Sequence, residues 1–491
     1  MGLERETAPV LPFVLGCLCA MALLMIITHG NVAAAFGPVA ILALVVLTWY
    51  RVDYSLFALI GCVLLFDQFR IPGFNPLTFS ADYFKNLKEI SYLPAFSGGV
   101  INPVEMHLLL ILAFWFFNLC IKKQFNAGRV PVWGSLLMLA GWLIFAFAYG
   151  QKNGAELLTA LWEVRAFFYF ILFYIAIPQV VRNRRQLNVL LWIIIATISF
   201  KAFQGVGRFV SLGFSFQGWA ALTSHEDPVF ITTLFVLLSG LLMYRVHNTQ
   251  RNVLLLLFLP LLAGFFVAQR RAAIAGLIMS MGAFFVLLPR TKQWRFLKVS
   301  VPVVLLLLIY GTALWNSGSK WARPVQMVKS GIGVSKEELS KEDYYSNLYR
   351  DYENYNLAYT FRGKPIAGTG FGVKYEQPLS LANISFPLRD YIPHNQIFWV
   401  IVKSGVTGFF FFWFFFNSFA FQGVHILKNL HSPYLKAVCV MIVAAIINQM
   451  TVSYFDLQLT YYRNMIYLGT LMGLLPVLQN IDEKQGKRME H

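Results

Sequence analysis

VPVVLLLLIYGTALW, residues 301–315, has the composition of a membrane-spanning stretch and ends abruptly in NSGSK at 316–320. The chain then stays hydrophilic from Asn316 to Pro393, until Pro393-His394-Asn395 leads into QIFWVIVKSGVTGFFFFWFFF, residues 396–416. A run of about 20 apolar residues crosses a hydrocarbon core as a helix. Such runs recur on both sides of the hydrophilic insertion, near 9–28, 32–50, 54–67, 103–120, 131–150, 162–181, 187–205, 228–246, 252–269, 272–289, 298–315, 394–418, 435–452 and 461–478. The reading is an all-α polytopic membrane protein with about 12–14 transmembrane helices and one long outer loop, 316–393, that contains short helices.

Composition excludes an ordinary soluble domain: 58% of residues are hydrophobic and 13% charged, with a mean hydropathy of +0.60. The first run follows Met1-Gly-Leu-Glu-Arg5-Glu, without a positive leader or a small-residue cleavage site, and is expected to be a retained span. Cys17, Cys19, Cys62, Cys120 and Cys439 all fall in apolar runs, which speaks for core thiols over a disulfide framework or a zinc site. Neither a metal nor a cofactor is expected.

Basic residues cluster in short loops at Lys122, Lys123 and Arg129, at Arg182, Arg184 and Arg185, at Arg290, Lys292, Arg295 and Lys298, and at Lys484, Lys487 and Arg488. Positive charge marks the cytoplasmic side, so both termini are expected there, and 68–102, 206–227, 316–393 and 453–460 outside. The net charge of +17 is then a topology signal, and nothing points to a nucleic-acid partner.

The informative charges are those that break this rule. Arg208, Arg270, Arg271, Arg389, His394 and Arg463 fall on the outer side, and Arg165, Lys201 and Lys403 inside spans. Charge at membrane depth is costly without a partner or water, which makes each a functional hypothesis. Gln269-Arg270-Arg271 sits at the turn of a helical hairpin, where guanidinium forks match phosphate oxygens or, equally simply, snorkel to headgroups. Arg208 follows Gly205 and Gly207, and Arg389 lies five residues before His394 on the same outer approach. Glu163, two residues before Arg165, suggests an internal ion pair, and Lys403 lies beside Gly405 in the span after His394.

His394 follows a proline favoured in the first helical turn, so its imidazole is expected at a helix N-terminus, where backbone N–H groups attract anions. It can take a proton from a hydroxyl or hold a phosphate as imidazolium. In the loop, Tyr345, Tyr349, Tyr352, Tyr355 and Tyr359 recur at three- and four-residue steps, placing them on one side of an amphipathic helix that suits sugar faces or an aromatic belt. Gly368-Thr-Gly370-Phe-Gly372 lacks the lysine of a phosphate-binding loop and reads as a tight turn that folds the end of the loop over the membrane face. No outer segment shows an Asp-x-Asp pair; Glu337-Glu338 and Glu342-Asp343 read as solvated surface, which makes metal-nucleotide chemistry a poor fit.

The order of these parts resembles the O-antigen ligase-like family, which includes O-antigen and exopolysaccharide polymerases. The resemblance rests on VAQRRAAIAG at 267–276, a long outer loop, AGTGFG at 367–372, PHNQIFW at 393–399 and GVTG at 405–408, and covers roughly 200–420. It implies a metal-independent, inverting membrane glycosyltransferase in the bacterial inner membrane, with its active face periplasmic. The implied donor is an undecaprenyl-diphosphate-linked glycan; the acceptor is a glycan or lipid A-core, and polysaccharide-assembly proteins are further partners. Catalytic roles carry over to His394, as base or diphosphate ligand, and to Arg271 with Arg270 beside it; Arg208 and Arg389 are expected to bind the diphosphate. Four regions follow: N-terminal helices 1–205, central helices with outer arginines 206–315, the periplasmic loop 316–393, and C-terminal helices with a cytoplasmic tail 394–491. The alternative is a transporter of a lipid-linked sugar or anion, against which stands the lack of a clear internal repeat.

Overall fold

Backbone polar groups in lipid must be satisfied within their own segment, and for a long apolar run the helix does this. The computed structural model describes residues 10–27, 32–71, 73–79, 81–90, 100–122, 128–216, 219, 221–319, 322–332, 341–384 and 386–489. It is 75% helix, with no strand among the described residues.

The chain forms two compact units. The first spans 1–68 and 76–127 and holds α1 (Val10–Ile27), α2 (Val32–Tyr50), α3 (Val52–Leu65) and α4 (Pro103–Lys122). Its interior carries a polar tie, His107 of α4 lying 3.1 Å from the Ser55 hydroxyl and 3.0 Å from that of Tyr83.

The second unit, 69–75 and 128–491, contains α5 (Trp133–Lys152), α6 (Leu157–Val180), α7 (Arg184–Ser211), α8 (Asp227–Met243), α9 (Thr249–Leu256), α10 (Phe258–Val267), α11 (Arg271–Leu287) and α12 (Arg290–Leu314). It continues through α13 (Arg323–Ile332), α14 (Lys341–Gly363), α15 (Gln396–Asn429), α16 (Pro433–Phe455), α17 (Tyr462–Gly473) and α18 (Leu475–Met489). Among the described residues, seven helices are individually long and apolar enough to cross a membrane, or eight if α9 and α10, bent by 52° to one another, count as one span. The other stretches expected to span are also helical over their described residues, but shorter.

Burial is unevenly shared. α16 is enclosed along 83% of its apolar window, whereas α12 buries none of its own and presents Val303 to Ile309 outward, as a lipid-facing helix does. Gly469 lets α17 lie directly on the backbone of α6, since a Cβ there would strike Phe170 O. One side of the phenylalanine-rich stretch of α15 is its inward ridge: Phe415 and Phe419 pack on Tyr174, and Phe412 on Phe167, while Phe410, Phe414 and Phe421 are exposed.

The hydrophilic insertion folds as α13 and α14 and then returns through the glycine-rich turn. Gly368, Gly370 and Gly372 all have positive φ, as a tight turn there requires. The turn does not lie over the bundle end. It is driven between α5, α6 and α15: Phe371 N donates to Ala146 O, Gly372 N to Glu163, Thr369 N to Val402 O (2.9 Å) and Gly370 N to Lys403 O (3.0 Å). The last two of these donors meet carbonyls of α15 next to its break at Gly405, whose φ is 67°. The broken helix and the inserted turn thus satisfy each other.

Candidate functional site

α10 ends at Val267 and α11 begins at Arg271, so the turn between them throws Arg270 and Arg271 out together. Both line a cavity of about 550 Å³ that also takes Arg323 from α13, Asp343, Ser346 and Arg350 from α14, Trp219, and Asp456 just past α16. Four guanidinium groups face two carboxylates there, so the wall carries surplus positive charge. Arg271 is held at 3.0 Å by Asn347 Oδ1 and 3.1 Å by Ser330 Oγ, with Asp343 at 3.7 Å. Arg323 donates to Gln269 Oε1 at 2.9 Å. Arg270 reaches Asp456 at 3.9 Å, and its buried Nε has no hydrogen-bond partner.

Asp456 organises this corner, with His225 at 3.7 Å on its other side. Burial alone would raise its carboxyl, but His225, Arg270 and Arg350 hold it well below the usual carboxylate range. His225 is pushed below its ordinary value by loss of solvent and by Arg270.

A second cavity, of about 510 Å³, adjoins the first across Ser346 and Arg350, which line both. It holds His394, Tyr345, Tyr349, Tyr352, Leu348, Leu381, Ala382 and Ile384, and is mostly apolar. Asn395 caps α15 by accepting from Phe398 N at 3.0 Å, which places His394 one residue ahead of the cap. Glu353 of α14, 1% exposed, accepts from His394 N at 2.8 Å and lies 3.2 Å from Nδ1. A carboxylate oxygen there selects the tautomer protonated at Nδ1 and leaves Nε2 available. Tyr349 meets the imidazole edge-on at 5.6 Å, and burial, with Glu353 nearby, pushes its hydroxyl up to about 12.

The other rule-breaking charges lie elsewhere. Arg208 is buried behind this wall, its guanidinium 4.7 Å from the Phe74 ring and 5.7 Å from Trp219, and it does not line either cavity. Arg389 is bound to Asn383 and 3.5 Å from Asp390, also outside both linings. Arg463, fully buried, pairs with Asp227 at 3.0 Å and Glu226 at 3.5 Å, and Lys201 stands 4.0 Å from Asp227. Glu163 meets Lys403 at 2.8 Å, both fully buried, and Lys403 Nζ also donates to Val373 O at 2.5 Å.

Sequence reasoning singled out Arg270, Arg271 and His394 but missed Arg323, Arg350, Glu353 and Asp456. Glu353 had a signal, since it lies four residues after Tyr349, one turn along the helix that the tyrosine spacing marks. Asp456, a lone carboxylate at the end of a span, had another. Arg323 and Arg350 had none, being loop cations among many.

Residues 254–413 match the family model described as O-antigen ligase. The resemblance read from the motifs is borne out over that segment, which carries Arg270, Arg271, Arg323, Arg350, Glu353 and His394 and excludes Arg208 and Asp456. No curated protein matches the chain. The match supports an O-antigen ligase- or polymerase-type, glycosyltransferase-like function in surface polysaccharide synthesis for this multi-pass membrane protein.

Proposed function

We propose that the chain moves a glycan from an undecaprenyl-diphosphate carrier onto a sugar hydroxyl at the periplasmic face of the inner membrane, without metal and with inversion. The observation that carries this is the adjacency of an arginine-rich polar cavity and an apolar cavity holding a carboxylate-tethered histidine, joined at Arg350 and Ser346. Arg271, Arg270, Arg323 and Arg350 supply fixed positive charge where a departing diphosphate gathers negative charge, and in a low-dielectric wall such charges act strongly. His394 Nε2 takes the proton of the acceptor hydroxyl as its oxygen bonds to the anomeric carbon. The carbon–oxygen bond to the diphosphate breaks on the opposite side, and the electron pair leaves with the phosphate. Glu353 holds the imidazole in the required tautomer and stabilises the imidazolium that forms. Arg208 supports the reaction from behind, by packing the Trp219 wall of the diphosphate cavity.

The test uses purified protein in lipid nanodiscs, a diphosphate-linked oligosaccharide and an acceptor glycan. Wild type is expected to release free carrier diphosphate with a lengthened glycan, and His394→Ala to lower that rate by about 10²–10⁴-fold. In sealed vesicles, transbilayer movement of the unchanged lipid with no lengthened glycan would replace this reading with a transporter.

A further inference from the structure

The two halves of the site stand on different elements. His394 precedes α15 and Arg270 precedes α11, while Asp456, the carboxylate beside Arg270, opens the turn 456–461 between α16 and α17. A displacement needs the attacking oxygen about 3–3.5 Å from the anomeric carbon and in line with the departing diphosphate, and an error of about 1 Å can cost about 10²-fold in rate. The spacing between the histidine and the arginine wall must therefore be held. α14 holds part of it, since its Ser346 and Arg350 line both cavities.

Gln396 is the second link. It is the first residue of α15, two after His394; it is fully buried and lines neither cavity. Its Oε1 accepts from Gln458 N at 2.7 Å and from Leu459 N, and its Nε2 donates to Thr460 Oγ1 at 2.7 Å. On the other side of His394, Ile392 packs with Leu457 and Tyr461. The tethered turn fixes its own carboxylate, because Asp456 Oδ1 accepts from Leu457 N at 2.9 Å while Oδ2 faces Arg270 at 3.9 Å. A chain of contacts thus runs from His394 to Arg270, although Gln458 lies 62 residues from Gln396. We propose that Gln396 is a positioning residue for glycan transfer, which sets the distance and orientation of the histidine relative to the diphosphate-binding wall. This rests on the reading of His394 as acceptor-side base and of Arg270 as part of that wall.

The chemistry of the side chain fits the task. Two buried N–H groups of the turn need acceptors, and one amide oxygen has a lone pair for each. The amide nitrogen then takes the next residue, so three consecutive positions are gripped and the turn cannot pivot about a single bond. A glutamate would bring a charge into a buried turn, and an asparagine is one methylene too short to reach.

The experiment compares wild type, Gln396→Met, Thr460→Val and His394→Ala in nanodiscs, with turnover expressed per folded protein. Binding of farnesyl diphosphate is measured on the same samples. Gln396→Met keeps the volume and loses all three bonds; it should lower kcat about 10²-fold, with KM for donor and acceptor and the affinity for farnesyl diphosphate near wild type. Thr460→Val removes only the Nε2 partner and should lower kcat about threefold to tenfold at unchanged KM; it decides the question if Gln396→Met does not fold. Wild-type kcat per folded protein in the deciding variant overturns the proposal. So does a loss of farnesyl diphosphate binding as large as the loss of kcat, which would make Gln396 a support of the arginine cavity alone. His394→Ala separates the two readings: if it is impaired while the deciding variant is not, only the positioning role of Gln396 falls. If His394→Ala turns over as wild type, the reading of the site falls, and the positioning role with it.

Discussion

Buried charge is arranged in two opposite ways in the second unit. Between α6 and α15, and again among α7, α8 and α17, cations meet carboxylates directly: Lys403 with Glu163, and Arg463 and Lys201 with Glu226 and Asp227. At the α10–α11 turn, four guanidinium groups line an open cavity with two carboxylates. The first arrangement closes on itself, because a buried ion is tolerable when a counter-ion and hydrogen bonds replace its water. The second leaves attraction unspent and space beside it, as a site for an anion must. A charge at membrane depth therefore signals function when its surplus faces a cavity, and architecture when it is matched.

Removing one partner of a matched pair breaks this comparison most severely. Lys403→Ala strands Glu163 among Trp399, Gly372 and α6 and should lower stability by about 3–5 kcal/mol, read as loss of folded protein in detergent thermal unfolding. Glu163→Gln/Lys403→Met should recover most of that loss. If the single change proves as mild as the double, the pair is not the closed strut described.

The surplus region should respond in rate and not in fold. Arg271→Ala is expected to reduce glycan transfer about 10²–10³-fold while the unfolding temperature stays close to that of wild type. A large drop in unfolding temperature with transfer intact would move Arg271 to the architectural class.

A smaller effect sharpens the boundary between the two. Asp456 is the carboxylate within the surplus region, held below the ordinary range by His225, Arg270 and Arg350. Its contribution is complete above the ordinary carboxylate pKa of about 3.9 and is lost as pH falls through its lower folded value. Asp456→Asn should cost about 1–3 kcal/mol at neutral pH. The gap from wild type should stay constant down to about pH 5 and close only in stronger acid, in unfolding curves measured across pH.

Much of the architecture was legible in order along the chain. Lipid forces local backbone satisfaction, so length and apolarity alone mark the helices, and the break at Pro393-His394-Asn395 marks a capped start. The tyrosine spacing named the helix that became α14, though not which of its flanks would be covered. Gly368 to Gly372 announced a tight turn, but its insertion against Gly150 and Gly405 required three distant segments to be known at once.

Residues 301–416 by themselves determined where the membrane is left and re-joined, because hydrophobic transfer is decided residue by residue against solvent. Which charges are matched was decided only by the tertiary structure. Coulomb attraction and hydrogen bonding act across a few ångströms of space whatever the separation in sequence, and Lys403 and Glu163, or Arg463 and Asp227, lie more than 200 residues apart. Folding brought those partners together and left Arg270, Arg271, Arg323 and Arg350 around a cavity beside His394.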